Sequence, residues 1–253
     1  MFAARLLLFL SALLALSASA EVPAGKPRLA VIIDDLGYDL DAGERVVRLP
    51  GPVACAILPM TPRARLLAED ARAHGKDVLL HLPLQAEDRE VESEPGGLVL
   101  DMSRSQFAQA FAADFAAVPH AIGINSHRGS LLTRHPGHMA WLMEELALRG
   151  DLFFVDSYTT HESIALQLAL EAGVPATRRD VFLDPDRSPE TLVREFARLK
   201  KLASENGFAV GIGHPYPETI AFLERELPRL SDDGFELVSI SEMIELHAAV
   251  LPE

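Results

Sequence analysis

The sequence predicts an α/β fold built as one (β/α) barrel. Three observations lead there. Short runs rich in Val, Ile and Phe alternate with longer amphipathic stretches, which is the pattern of a parallel sheet wrapped by helices. No linker rich in Pro, Gly or Ser divides the 253 residues, and no repeat of fixed period is visible. Polar residues able to do chemistry stand at the ends of five apolar runs, where a barrel of this kind gathers its active site.

Taken in order, strands are expected at residues 29–33, 53–57, 78–82, 121–124, 152–155, 181–183, 209–212 and 236–240. Helices with apolar residues every three or four positions are expected at 40–49, 62–74, 104–118, 136–149, 162–172, 190–206, 217–230 and 242–250. Ser103, Ser188 and Ser241 stand where N-caps belong, and Gly75, Gly150, Gly173 and Gly207 where helices should stop. The longest irregular stretch, residues 83–101, is long enough to wall or cover a site.

The first twenty residues read as an export signal. Arg5 precedes the apolar run 6–16, and Ala18-Ser19-Ala20 offers small residues for cleavage. This leaves a short tail, 21–27, and a barrel domain over 28–253, with an exported or periplasmic location and no spanning segment after cleavage. A formal charge of −14 argues against nucleic acid or an anionic membrane as partner, and fits a neutral or cationic substrate more readily. Cys55, the only cysteine, lies in an apolar strand pattern and reads as a core residue.

The strand ends carry the chemistry. Asp34 and Asp35 close the first run, and two adjacent carboxylates repel unless a cation, a proton or hydrogen bonds stabilise one of them. His81 sits in an apolar setting that suits either a hydrogen-bonded core imidazole or a metal ligand. Asn125, His127 and Arg128 offer a donor, a ligand and a fixed cation between two glycines, Gly123 and Gly129. Asp156 follows the fifth run. His214, held by Pro215, suits either a general acid or a helix cap. His74, His120, His135, His138 and His247 are expected at the surface, while His161 is open to either reading.

In order, Ile33-Asp34-Asp35-Leu36-Gly37, Leu80-His81-Leu82-Pro83-Leu84, Gly123-Ile124-Asn125-Ser126-His127-Arg128-Gly129-Ser130, Phe154-Val155-Asp156-Ser157 and Gly213-His214-Pro215 resemble the divergent polysaccharide deacetylases. The resemblance runs from about residue 28 to 245. It implies a distorted (β/α) barrel of the NodB-like kind and a hydrolase that removes acetyl groups from carbohydrate with a divalent metal, commonly zinc. By the same resemblance Asp34 is the general base, Asp35 a metal ligand, His81 the first ligand histidine and His214 the acid. The common motif has a second histidine four residues after the first, where this chain has Gln85, an amide and a weak ligand. Three readings follow: His127 completes the coordination, the metal binds loosely, or the fold persists without the reaction as a carbohydrate-binding protein. Asp156 and Arg128 then orient ligands or substrate.

Overall fold

The structure, a computed structural model, describes residues 25–87 and 95–250. The expected export signal, most of the tail, and part of the long loop lie outside the described residues. Among those described, no helix is long and apolar enough to cross a membrane.

Nine parallel strands form one curled sheet in the spatial order β6-β5-β4-β3-β2-β1-β8-β7, with β9 also pairing with β1. They are β1 (Arg28–Leu36), β2 (Ala54–Ile57), β3 (Val78–Leu84), β4 (Gly123–Arg128), β5 (Phe153–Asp156), β6 (Ala176–Arg178), β7 (Val181–Phe182), β8 (Phe208–Gly213) and β9 (Glu236–Leu237). The helices are α1 (Leu40–Val47), α2 (Ala64–Ala73), α3 (Arg104–Ala117), α4 (Pro136–Ala147), α5 (Ala165–Glu171), α6 (Pro189–Asn206), α7 (Pro217–Glu226) and α8 (Ile240–Val250). This is the expected barrel, left open between β6 and β7, whose strands are separated in sequence only by Arg179 and Asp180.

Alternation along the strands sorts the core into two layers. Val31 and Ile33 of β1, Cys55 of β2 and Leu80 of β3 face the helices in the larger apolar cluster. Ala30 and Ile32, Ala54 and Ala56, Leu79, Val155, and Val210 and Ile212 face inward, where Val238, Ile240, Met243 and Ile244 close the base. The next inward positions on β1, β3 and β8 are Asp34, His81 and His214. The candidate site therefore sits on top of the inner apolar column. Cys55 is buried, and burial pushes its thiol up to about 12, as a core cysteine requires.

Several boundaries differ from expectation for physical reasons. β1 and β4 run beyond their apolar stretches, through Asp34-Asp35 and Asn125-Ser126-His127, because the upper inner face of the barrel is a polar site. β6 was not expected; three residues with one exposed Arg carry too little pattern to read. The last expected strand shrinks to β9, and α8 begins at Ile240. Ser239, rather than Ser241, caps it, with the Glu242 amide donating to its hydroxyl at 3.1 Å. Ser103 and Ser188 do cap α3 and α6, and Gly75, Gly150, Gly173 and Gly207 take positive φ beyond helix ends. His138 is buried, against the expectation of a surface residue, because its ring packs on Phe107 and Trp141 at 5.8 and 4.5 Å.

Candidate active site

The site begins with a break in β1. Adjacent residues of a regular strand face opposite sides of the sheet, so Asp34 and Asp35 could not both point inward. The register between β1 and β2 shifts between Ile33 and Leu36, and Asp35 takes φ 58°, a left-handed conformation costly for a residue with a Cβ. Gly37 follows at φ 130°, where a Cβ would meet the Thr61 hydroxyl at 2.1 Å. The bulge brings both carboxylates to one imidazole: His81 Nε2 is 3.2 Å from Asp35 Oδ1 and 3.7 Å from Asp34 Oδ2.

Asn125 fixes that imidazole. Its amide nitrogen donates to Asp34 Oδ1 at 2.7 Å, so its Oδ1 faces the other way and accepts from His81 Nδ1 at 2.9 Å. In a flat sheet β4 and β1, three strand spacings apart, would lie about 14 Å from one another. Curling of the sheet makes the contact possible. With its proton on Nδ1, a neutral His81 presents the Nε2 lone pair to the site.

His127 reaches the same point from the end of β4. Its Nδ1 lies 3.0 Å from His81 Nε2 and 3.0 Å from Asp35 Oδ1. Asp35 Oδ1, His81 Nε2 and His127 Nδ1 thus form a triangle of ligand atoms, and this is the one such group found among the described residues. Its edges approach the roughly 3.4 Å expected between tetrahedral zinc ligands about 2.1 Å from the ion. Asp35 Oδ1 is shielded from solvent and receives no well-directed hydrogen bond. Lone pairs converging on one point repel unless positive charge lies between them, and two imidazoles with a carboxylate fit a divalent cation with a position left open.

The carboxylates draw positive charge to this point, and a proton on His81 supplies it where no cation does. Burial alone would raise the Asp35 carboxyl, but the contacts with His127 and His81 outweigh it and hold the group well below the usual carboxylate range. Burial works against charge on His81, yet Asp34 and Asp35 keep its pKa up at about 9. Asp34 goes the other way. It is 3 % exposed, and burial raises its pKa despite the nearby imidazoles and the Asn125 amide.

Opposite the triangle, His214 Nε2 is 3.8 Å from Asp35 Oδ2. Its Nδ1 donates to Asp184 Oδ1 at 2.9 Å, while Asp184 Oδ2 accepts from the His214 amide at 2.7 Å and the Thr219 hydroxyl at 2.8 Å. Burial lowers the His214 pKa, but the Asp184 bond and charge overcome it, and the net shift is upward. Sequence reasoning missed Asp184. It stands directly after the apolar run 181–183, the same signal that singled out the other rim residues, but beside Pro185 it reads as a turn.

Three expected residues stand outside the cluster. The Gln85 side chain accepts from the Leu100 amide at 2.8 Å, so it clamps the long loop and is not a substitute ligand. Asp156 accepts from the Tyr158 amide at 2.8 Å and the Ser163 hydroxyl at 2.6 Å, shaping the loop after β5. Arg128 ends β4 beside His127 at φ 56°, and its carbonyl accepts from the Thr159 hydroxyl at 2.6 Å.

Residues 31–244 match the profile of a family described as divergent polysaccharide deacetylase. An uncharacterized protein of Haemophilus influenzae is 36% identical over 226 residues, 89% of this chain and 80% of that protein. Among solved structures, an uncharacterized protein of Agrobacterium tumefaciens superposes at TM-score 0.83 and 22% identity, covering 87% of this chain and 90% of that one. A mutant of a Bacillus anthracis CE4 family pseudoenzyme, described as having restored enzymatic activity, superposes at TM-score 0.52 and 13% identity over 87% of this chain and 68% of its own. The two structural likenesses speak to the fold, a NodB-like distorted (β/α) barrel. The profile match and the sequence relative together place the chain in the divergent polysaccharide deacetylase family.

Proposed function

We propose that this protein is an exported, metal-dependent hydrolase that removes an acyl group, acetyl in the simplest case, from a carbohydrate. The observation that carries the proposal is the convergence of Asp35 Oδ1, His81 Nε2 and His127 Nδ1 within 3.0 to 3.2 Å of one another. Zinc suits this donor set; bound there, it would polarise the acyl carbonyl and make a water molecule acidic enough to attack it.

The chain's own residues supply the proton transfers. Asp34, with a burial-raised pKa, accepts the proton of the attacking water. Asn125 holds Asp34 and His81 in one relay, so the base and the ligand keep a fixed relation. His214, kept protonated by Asp184, gives a proton to the departing nitrogen or oxygen. The inner apolar column beneath excludes water from below.

A second reading, a carbohydrate-binding protein without turnover, is favoured by the commitment of Gln85 to the loop and by the likeness to a pseudoenzyme fold. Acetate release from an acetylated oligosaccharide by zinc-loaded protein separates the two. The hydrolase reading expects Asp35→Ala to lose both zinc and release, and Asp34→Asn to keep zinc and lose release. Zinc binding with no acetate release from any acylated glycan would overturn it.

A further inference from the structure

The whole chain is acidic, yet arginines without a carboxylate partner collect at one rim. Most described arginines have a carboxylate partner, as Arg45 has Glu224, Arg104 has Glu145 and Arg149 has Glu145. Among the described residues, Arg63, Arg72, Arg128, Arg178, Arg179 and Arg187 have none within ion-pair distance. All but Arg72 follow strand carboxyl ends, on the side of the barrel that carries the candidate site. Surface pairing is the ordinary fate of an arginine in a chain of charge −14, so this concentration of unpaired guanidinium groups at one rim calls for a physical account.

Three of them are built into the mouth. Arg179 is half-buried. Its Nε donates to the Ser157 carbonyl at 2.7 Å and its Nη2 to the Tyr158 carbonyl at 2.8 Å, while its guanidinium lies 4.8 Å from the centre of the Phe182 ring. Phe182 in turn packs on His214 at 5.1 Å. On the other side of His214, Tyr216 stacks at 5.4 Å, and Arg187 covers the Tyr216 ring at 3.9 Å. Arg178 covers Tyr158 at 4.7 Å. Stacking holds each guanidinium plane while leaving edge N–H groups able to donate, the geometry that suits carboxylate and phosphate.

The nearest acids do not consume these donors. Asp34, Asp156 and Asp180 lie close enough for their charges to act on Arg179, and the last two on Arg178, but Asp34 accepts from Asn125, Asp156 from Tyr158 and Ser163, and Asp180 from the Val210 amide at 2.8 Å. We propose that the mouth recognises an acidic acylated glycan, whose carboxylate or phosphate group is taken by Arg178, Arg179 and Arg187 beside His214. The inference rests on the hydrolase reading for the word acylated, and on the rim alone for the word acidic.

The test is binding of paired ligands to the zinc-loaded mature protein at low salt: a hyaluronan tetrasaccharide, which carries carboxylates, against the neutral N-acetylglucosamine tetramer. A second pair, N-acetylglucosamine 6-phosphate against N-acetylglucosamine, tells phosphate from carboxylate. We expect about ten-fold tighter binding of an anionic member over its neutral partner. The preference should vanish in the Arg178→Gln/Arg187→Gln variant and persist in Arg48→Gln, whose residue caps the C-terminus of α1. Equal binding within both pairs, or a preference that survives the double variant, would overturn the inference. Acetate release read in the same samples reports on the hydrolase reading separately: selective binding without release would sink that reading and leave this one standing.

Discussion

Asn125 donates its amide to Asp34 at 2.7 Å, joining β4 to β1 across the mouth of the barrel, and the same amide oxygen then orients His81. One side chain thereby sets both the carboxylate proposed as base and the imidazole proposed as metal ligand.

Asn125→Leu should therefore weaken zinc binding by roughly 10- to 100-fold, the usual cost of losing a partner that orients a ligand. Competition with a chromogenic chelator would measure it. Unchanged affinity would mean that His81 is held by its packing alone.

Asp184→Asn should lower kcat by roughly 100-fold or more. The pH profile supplies the sharper sign. In its proposed role His214 acts in the protonated form, and the Asp184 contact raises its pKa, so activity should persist to higher pH and fall as pH rises through that raised value. Without the Asp184 charge, the alkaline limb should move to lower pH; a limb that stays in place would assign it to another group.

Gln85→Ala and His127→Ala should part company in metal content. The first removes the clamp on Leu100 and should leave zinc near stoichiometric, whereas the second removes a corner of the ligand triangle. Elemental analysis of the two purified variants decides the point. Loss of zinc in Gln85→Ala would tie the long loop to the metal.

Asp114 gives a stability prediction away from the site. It continues the buried stripe of Phe107 and Phe111 on α3, lies against Gly96, and has no hydrogen-bond partner for either oxygen. Burial raises its pKa to about 7. The folded state then holds the proton more tightly than the unfolded chain, so stability is greatest below about pH 4 as far as this group is concerned and is lost as pH rises toward and through 7. Asp114→Asn should gain on the parent by on the order of a few kcal/mol between pH 4 and pH 8. Urea midpoints at the two pH values would show it, and a constant difference would contradict the shift.

The inward parity of Asp34, His81 and His214 was legible because each continues a period-two apolar pattern into a polar end. Their roles as neighbours were not, since the Asn125 bridge depends on how far the sheet curls, and curl has no local signature. Asp184 carried a readable signal that a following proline masked. Gln85 stood out only as a departure from a motif; its bond to the Leu100 amide requires the loop to fold back. The unpaired rim arginines stayed hidden for a different reason. A net charge is a sum over the chain, and it conceals which arginines are paired and where the unpaired ones collect.

The apolar column under the site also decides where hydrogen ions can travel. The side chains of Ile32, Leu79, Val210 and Ile212, in the inner column beneath Asp34, are all apolar. In the proposed reaction a hydrogen ion taken up there leaves by the mouth, past His214 or with the product. Release of product and resetting of the base then share one exit, so a bulky product that is slow to depart should also delay the return of Asp34 to its ionised form.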